Sequence, residues 1–114
     1  MSGTSADGID AVVVHLQGQG RGLRARLQAH VHVAFPAKFR QQVLRACLHG
    51  GVAEICELNF ALGERFAAAA LAAIRRAGLR PGHLAAIGSH GQTLHHLPHA
   101  RHPSTLQIGE PCVI

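Results

Sequence analysis

The amino-acid sequence predicts a mixed α/β fold that begins with an antiparallel β-hairpin and continues with helices packed on a sheet. Three features predict it: strict alternation of apolar and polar residues early in the chain, helical spacing of apolar residues in the middle, and short apolar runs towards the end. The chain has 114 residues, of which 47% are hydrophobic and 15% are charged. This size and composition are typical of one folded domain.

Two runs predict the opening hairpin. Residues 10–16 (DAVVVHL) form a short β-branched strand, and residues 17–22 supply three glycines for a turn. Residues 23–33 then alternate with period two, which is typical of a strand with one wet face. The predicted apolar side contains Leu23, Ala25, Leu27, Ala29, Val31 and Val33. The predicted polar side contains Arg24, Arg26, Gln28, His30 and His32.

Two helices follow. Pro36 can begin the first, where its missing N–H costs nothing, and Gly50–Gly51 end it. The second is predicted from Val52 to Ala77, with Gly63 marking a close approach to another segment. The apolar positions of the two helices are Phe39, Val43, Leu44, Cys47, Ile55, Leu58, Leu62, Phe66, Ala69, Ala70 and Ala73.

Short apolar runs predict more strands after the helices. Leu84–Gly88 (LAAIG) reads as a buried strand that returns from a helix to the sheet. Thr93–Leu97 and Ser104–Ile108 are weaker strand predictions, separated by a loop rich in proline and histidine.

Composition excludes several functional classes. Eleven Lys and Arg against six Asp and Glu give a formal charge of +5, but these residues are scattered and the chain has no Trp or Tyr. We therefore expect no nucleic-acid partner, since stacking platforms are missing. No apolar run approaches the ~20 residues of a membrane helix, so no membrane partner is expected. Three cysteines without a CxxC pair favour a reducing, cytoplasmic environment.

The first ten residues, MSGTSADGID, carry the clearest chemical signal. Gly3 and Gly8 allow a turn whose backbone N–H groups converge on one anion, and Thr4 and Ser5 add hydroxyl donors. Asp7 and Asp10 would repel a bound phosphate unless a divalent cation lies between them, and Mg²⁺ suits that place. An ordinary Gly/Ser/Asp loop that caps a strand is the alternative interpretation.

Three motifs in register resemble one known family. SGTSADGID resembles the phosphate-binding hairpin of anhydro-N-acetylmuramic acid kinases, which belong to the sugar-kinase, Hsp70 and actin superfamily. Residues 87–93 (IGSHGQT) and 104–111 (STLQIGEP) are similar to that family's IGSHGQT and TLQIGDP motifs. Leu58-Asn59 with Leu62-Gly63-Glu64 is similar to its second helix. The similarity covers essentially the whole chain.

The resemblance implies a fold and a reaction. The fold would be a ribonuclease-H-like (actin-like ATPase) lobe, with residues 1–114 as the N-terminal lobe of a two-domain kinase whose second lobe is absent. Such enzymes use ATP to phosphorylate the 6-oxygen of 1,6-anhydro-N-acetylmuramic acid while water opens the anhydro ring, which yields N-acetylmuramic acid 6-phosphate for cell-wall recycling. The family's catalytic base is an Asp from a later segment, and no residue here matches it. We therefore expect residues 1–114 alone to be inactive, and a homodimer is expected by family analogy.

The same resemblance implies roles for individual residues. The sugar would be contacted, or its site ordered, by His90, Gln92 and Thr93. Mg²⁺ would be held with the help of Asp7 or Asp10. The ATP phosphates would be bound by Gly3, Thr4, Ser5, Ala6, Asp7, Gly8, Ile9 and Asp10.

A second hypothesis is a small basic, His-rich domain that binds a metal or an anionic ligand without catalysis. Five histidines lie between positions 90 and 102, although no metal-ligand spacing is present and prolines interrupt the segment. The five are His90, His95, His96, His99 and His102. Solvated loop histidines are the simpler interpretation of this segment.

Overall fold

The computed structural model describes residues 5–114, which form strands and helices in the order β-β-α-α-β-β. The elements are β1 (Gly8–Gln17), β2 (Arg24–Ala34), α1 (Ala37–His49), α2 (Val52–Arg76), β3 (Gln92–Leu97) and β4 (Ser104–Ile108). Single 3-10 turns cover Gly20–Gly22, Pro81–His83 and Pro111–Val113. The α/β class predicted from the sequence is confirmed.

The opening hairpin is confirmed as an antiparallel pair of β1 and β2. Its register places Ile9 opposite Val33 and Asp10 opposite His32, and it shifts by one residue after Val13. The predicted apolar side is only partly covered. Ala29 is buried, whereas Leu27 near the hairpin end is 61% exposed. The register shift explains this difference, because Leu27 lies opposite Val14, whose side chain faces away from the side on which Val13 and Ala29 are buried.

Both helices form close to their predicted bounds, and α2 provides more of the buried core than any other element of the described residues. Pro36 caps α1, and Gly50 follows its last residue. Leu58, Leu62 and Phe66 on α2 pack with Phe39 and with the base of the hairpin. Further along α2, a second cluster joins Ala73, Ile74, Val13 and Ala29. Within residues 5–114, no helix is both long and apolar enough to cross a membrane.

The second predicted hairpin also forms, from β3 and β4. Gln92 lies opposite Ile108, and Leu97 lies opposite Ser104. Leu94 and Ile108 are buried in the main core cluster, which attaches this hairpin to the two helices. Its far end, including the Pro/His loop, is exposed.

The predicted strand Leu84–Gly88 does not form, and the prediction of one mixed sheet is wrong for the described part of the chain. Residues 5–114 contain two separate two-stranded antiparallel sheets. Leu84–Gly88 is irregular, and Ile87 is 50% exposed. A strand needs a neighbouring edge for its backbone N–H and C=O groups. Here a cleft of about 420 Å³ separates this segment from β1, and the two do not pair.

Candidate functional site

The N-terminal loop leads directly into β1 and is tied to the rest of the fold by its backbone. Ser5 is in a turn, Ala6 is fully buried, and Asp7 is exposed. The Phe35 amide donates to the Asp7 carbonyl at 3.0 Å, and the Arg40 guanidinium donates to the Ser5 carbonyl at 3.1 Å. Of the predicted loop residues, Gly3 and Thr4 lie outside the described residues. Ser5 to Asp10 lie within them.

Ala6 has an unusual backbone conformation, with φ of 47°. A side chain in this left-handed region costs about 1–2 kcal/mol, because its Cβ is close to the following carbonyl. The Ala6 methyl is packed in the core cluster, so only its backbone faces the loop. The cluster that holds the methyl therefore maintains this strained turn.

Polar groups of the loop favour the charged form of Asp7. The pKa of Asp7 is lowered, first by hydrogen bonding with the Ser5 side chain and then by the backbone amides of Asp7 and Gly8. Successive N–H groups around a left-handed residue form an anion-binding concavity. In this loop the anion is the Asp7 carboxylate. Donors that favour a carboxylate also suit a phosphate oxygen, so the loop fits phosphate chemically.

Asp10, the second predicted metal ligand, lies on the outer face of the hairpin. Its Oδ1 accepts from His30 Nε2 at 2.9 Å and from His32 Nδ1 at 3.2 Å. These bonds, that of His30 first, lower the pKa of Asp10, so its carboxylate is charged at neutral pH. Its side chain is 53% exposed and can therefore also be reached from solvent.

The described residues contain no group of three or more His, Cys, Asp or Glu arranged to hold a metal. Mg²⁺ does not need such a group, since one or two carboxylates with phosphate oxygens and waters suffice. Asp7 and Asp10 are the carboxylates of the loop that could serve in this way, one at the turn and one on β1.

The three residues predicted to contact sugar differ in their exposure to solvent. His90 is exposed in the irregular segment, whereas Gln92 at the start of β3 is fully buried and its Nε2 donates to the Thr93 carbonyl at 3.1 Å. Thr93 is half-buried. The expectation that His90 follows a buried strand is wrong, because Leu84–Gly88 is not a strand. The cleft beside β1 is lined instead by the residues just before His90, including Gly88 and Ser89.

A polar clamp joins α2 to the end of β4, and reasoning from residue patterns missed it. The Asn59 Oδ1 accepts from the Gly109 amide at 2.7 Å, and its Nδ2 donates to Glu110 Oε2 at 3.0 Å. The Asn59 carbonyl also accepts from the Glu110 amide at 2.9 Å. Gly63 adds a close approach, since a Cβ there would lie 2.8 Å from the Glu110 carbonyl.

Only the family resemblance gave a signal for the clamp, because Asn59, Gly63 and the Gly109-Glu110 pair all belong to the matched motifs. The Glu110 carboxylate also accepts from the Cys112 amide at 3.2 Å. These hydrogen bonds lower the pKa of Glu110, with the Cys112 amide as the largest cause. The two motifs therefore meet in space as a structural joint.

Similarity to known proteins places the chain in a class of kinases. A family model for anhydro-N-acetylmuramic acid kinase matches residues 1–114, and the chain belongs to that family.

Curated relatives agree with this assignment. Proteins named anhydro-N-acetylmuramic acid kinase are 44% identical in Caldanaerobacter subterraneus subsp. tengcongensis and 38% identical in Clostridioides difficile, and one from Bacillus cereus is 42% identical. Each alignment covers 100% of this chain but only 30–31% of the relative. The chain thus spans about a third of the length of these relatives.

Proposed function

We propose that this chain is the ATP-phosphate-binding part of an anhydro-N-acetylmuramic acid kinase. One observation carries the proposal: beside the left-handed Ala6, the Ser5 side chain and the amides of Asp7 and Gly8 favour the charged form of a carboxylate, as they would favour a phosphate. The same loop contains the residues that resemble the family's phosphate-binding hairpin. Family membership supplies the kinase class, and the loop supplies the chemistry for holding an anion.

The loop binds phosphate by exchanging one anion for another. Phosphate oxygens accept hydrogen bonds from the loop donors that favour the charged form of the Asp7 carboxylate. Gly3, Thr4, Ala6, Ile9 and Asp10 are proposed to bind the phosphates as well, because they belong to the same motif. Mg²⁺, when bound, neutralises phosphate charge, and Asp7 and Asp10 are the residues that would hold it. Positioning and charge stabilisation dominate phosphoryl transfer, so a preformed loop matters.

The proposed reaction couples phosphoryl transfer to ring opening. Water attacks carbon 1 of 1,6-anhydro-N-acetylmuramic acid, the bond from carbon 1 to the 6-oxygen breaks, and that oxygen takes the γ-phosphoryl group of ATP. The products are N-acetylmuramic acid 6-phosphate and ADP, and the water proton passes to a base. We assign no residue of 1–114 as that base, so these residues alone are expected to bind nucleotide without turnover. His90, Gln92 and Thr93 are proposed to contact the sugar or to order its site.

We further propose that the chain forms part of a ribonuclease-H-like lobe, the first of two in the kinase. The support is that, within residues 5–114, β2 is the strand that pairs with β1, and that β1 also lines the cleft. In such a lobe the sheet continues across that edge, where the apolar segment 84–88 lies. The proposed setting is the cytoplasm, with a small amino-sugar substrate and a second copy of the enzyme as partner.

Two binding measurements test the proposal. With the protein at its full natural length, calorimetry is expected to show Mg·ATP binding. Ser5→Ala is expected to weaken that binding about tenfold, the value of one hydrogen bond to a charged group. Ser104→Ala, an exposed serine at the start of β4, is the matched control and is expected to bind like the wild type. Absence of Mg·ATP binding by the wild type would contradict the proposal.

A further inference from the structure

The outer face of the β1–β2 hairpin brings two histidines to one carboxylate oxygen. In the antiparallel register His32 lies directly opposite Asp10, and His30 lies opposite Val12, diagonal to Asp10. Both rings reach Asp10 Oδ1, at 2.9 Å for His30 Nε2 and 3.2 Å for His32 Nδ1. Opposite and diagonal neighbours on one face are the pairs that can touch across an antiparallel ladder.

The chemistry of the acceptor defines which ring nitrogens carry hydrogen. An ionised carboxylate only accepts hydrogen bonds, so His30 must be protonated at Nε2 and His32 at Nδ1. Two hydrogen bonds from different residues restrict the rotation of the Asp10 carboxylate. The side chains of His30 and His32 are about half exposed, at 49% and 47%, so neither belongs to the core.

His32 also contacts the N-terminal loop. A Cβ on Gly8 would lie 2.8 Å from both Cε1 and Nε2 of His32, so this edge of the ring lies against the Gly8 backbone. One imidazole therefore contacts the loop glycine and holds the strand carboxylate at the same time.

We infer that His30 and His32 are positioning residues that orient the Asp10 carboxylate towards the divalent cation accompanying ATP. The inference rests on the proposed function, and it adds the two groups on β2 that prepare Asp10. Neither histidine touches the reacting atoms. They act through Asp10, as outer-shell hydrogen bonds orient ligands in other metal sites.

Replacement by valine, which suits a strand but donates no side-chain hydrogen bond, tests this inference. In the protein at its full natural length, His32→Val and His30→Val are each expected to weaken Mg·ATP binding about tenfold at low Mg²⁺, by analogy with outer-shell changes elsewhere. ATP binding without Mg²⁺ is expected to be unchanged, and so is the Tm. His15→Val, an exposed histidine further along β1 and opposite Arg26, is the control.

Conservative variants separate positioning from a general structural role. His32→Asn keeps a donor near the position of Nδ1, and His30→Gln keeps one near Nε2, so both are expected to restore most of the Mg·ATP affinity. In the free protein, ¹⁵N NMR is expected to show hydrogen on His30 Nε2 and on His32 Nδ1.

The outcomes separate a failure of the inference about His30 and His32 from a failure of the proposed function. If the wild type binds Mg·ATP and the valine variants bind it equally well, the inference is overturned and the proposed function stands. If the valine variants weaken ATP binding equally with and without Mg²⁺, the inference is also overturned. If the wild type does not bind Mg·ATP, both fail.

Discussion

Replacing Asn59 by alanine is expected to open the joint between α2 and β4. The change removes the acceptor of the Gly109 amide and the donor to the Glu110 carboxylate, while the backbone bond from the Glu110 amide stays. An unsatisfied part-buried amide costs about 1–3 kcal/mol, and a hydrogen bond to a partly exposed carboxylate adds about 1 kcal/mol. The expected loss in the free energy of unfolding is therefore about 2–4 kcal/mol.

Urea denaturation measures this loss. With an m-value of about 2 kcal/mol per molar urea, the midpoint is expected to fall by roughly 1–2 M with no change in m. Glu110→Ala alone is expected to cost less, since the Gly109 amide keeps its partner. The double variant then yields a coupling energy between the two side chains of about 0.5–1.5 kcal/mol.

A loss below about 0.5 kcal/mol for Asn59→Ala would refute this reasoning, because it would match an ordinary surface substitution. A coupling energy near zero would refute the contribution of the Asn59–Glu110 bond alone. Gln41→Ala, at an exposed position of α1, is the control and is expected to leave the midpoint unchanged.

Three further predictions concern the loop, the carboxyls and the cleft. Asp7→Asn is expected to weaken Mg·ATP binding about tenfold or more with little loss of stability, because Asp7 is exposed; equal losses in calorimetry and urea denaturation would assign it a structural role instead. The pKa values of Asp7, Asp10 and Glu110 are all lowered in the folded state, so their stabilisation is present above an unfolded pKa of about 4 and is lost as pH falls through the folded values. Urea midpoints at pH 6 and pH 3 check the sign, and a midpoint that rises on acidification would contradict it. Amides of residues 84–88 are expected to exchange with deuterium much faster than those of β1 paired with β2, and equal protection would show that this segment is a strand after all.

Local pattern was sufficient for most of the regular structure. Alternation over residues 23–33 predicted β2, and glycines predicted the ends of the helices, because these signals depend on residues close together in the chain. Leu84–Gly88 shows the limit. Its apolar run predicts a buried strand, but whether a strand forms depends on an unpaired edge arriving beside it. In residues 5–114 a cleft lies there instead.

The candidate site was also predictable only in part from the sequence. The glycines, hydroxyls and carboxylates of the first ten residues marked an anion-binding loop, and the alternation placed His30 and His32 together on the polar side of β2. Nothing local showed that both rings reach Asp10, since that depends on the hairpin register, and a slip of one residue moves every side chain to the other face. Burial also separated Gln92 from His90, two positions apart in one motif.

By itself, the sequence determined the α/β class, the opening hairpin, the two helices and the loop that resembles a phosphate-binding motif, because periodicity and turn chemistry are written in neighbouring residues. The tertiary structure decided which residues of those elements contact one another. Asn59 meets Glu110 across 51 positions and Asp10 meets His30 across 20, and such contacts exist only once packing has brought distant segments together.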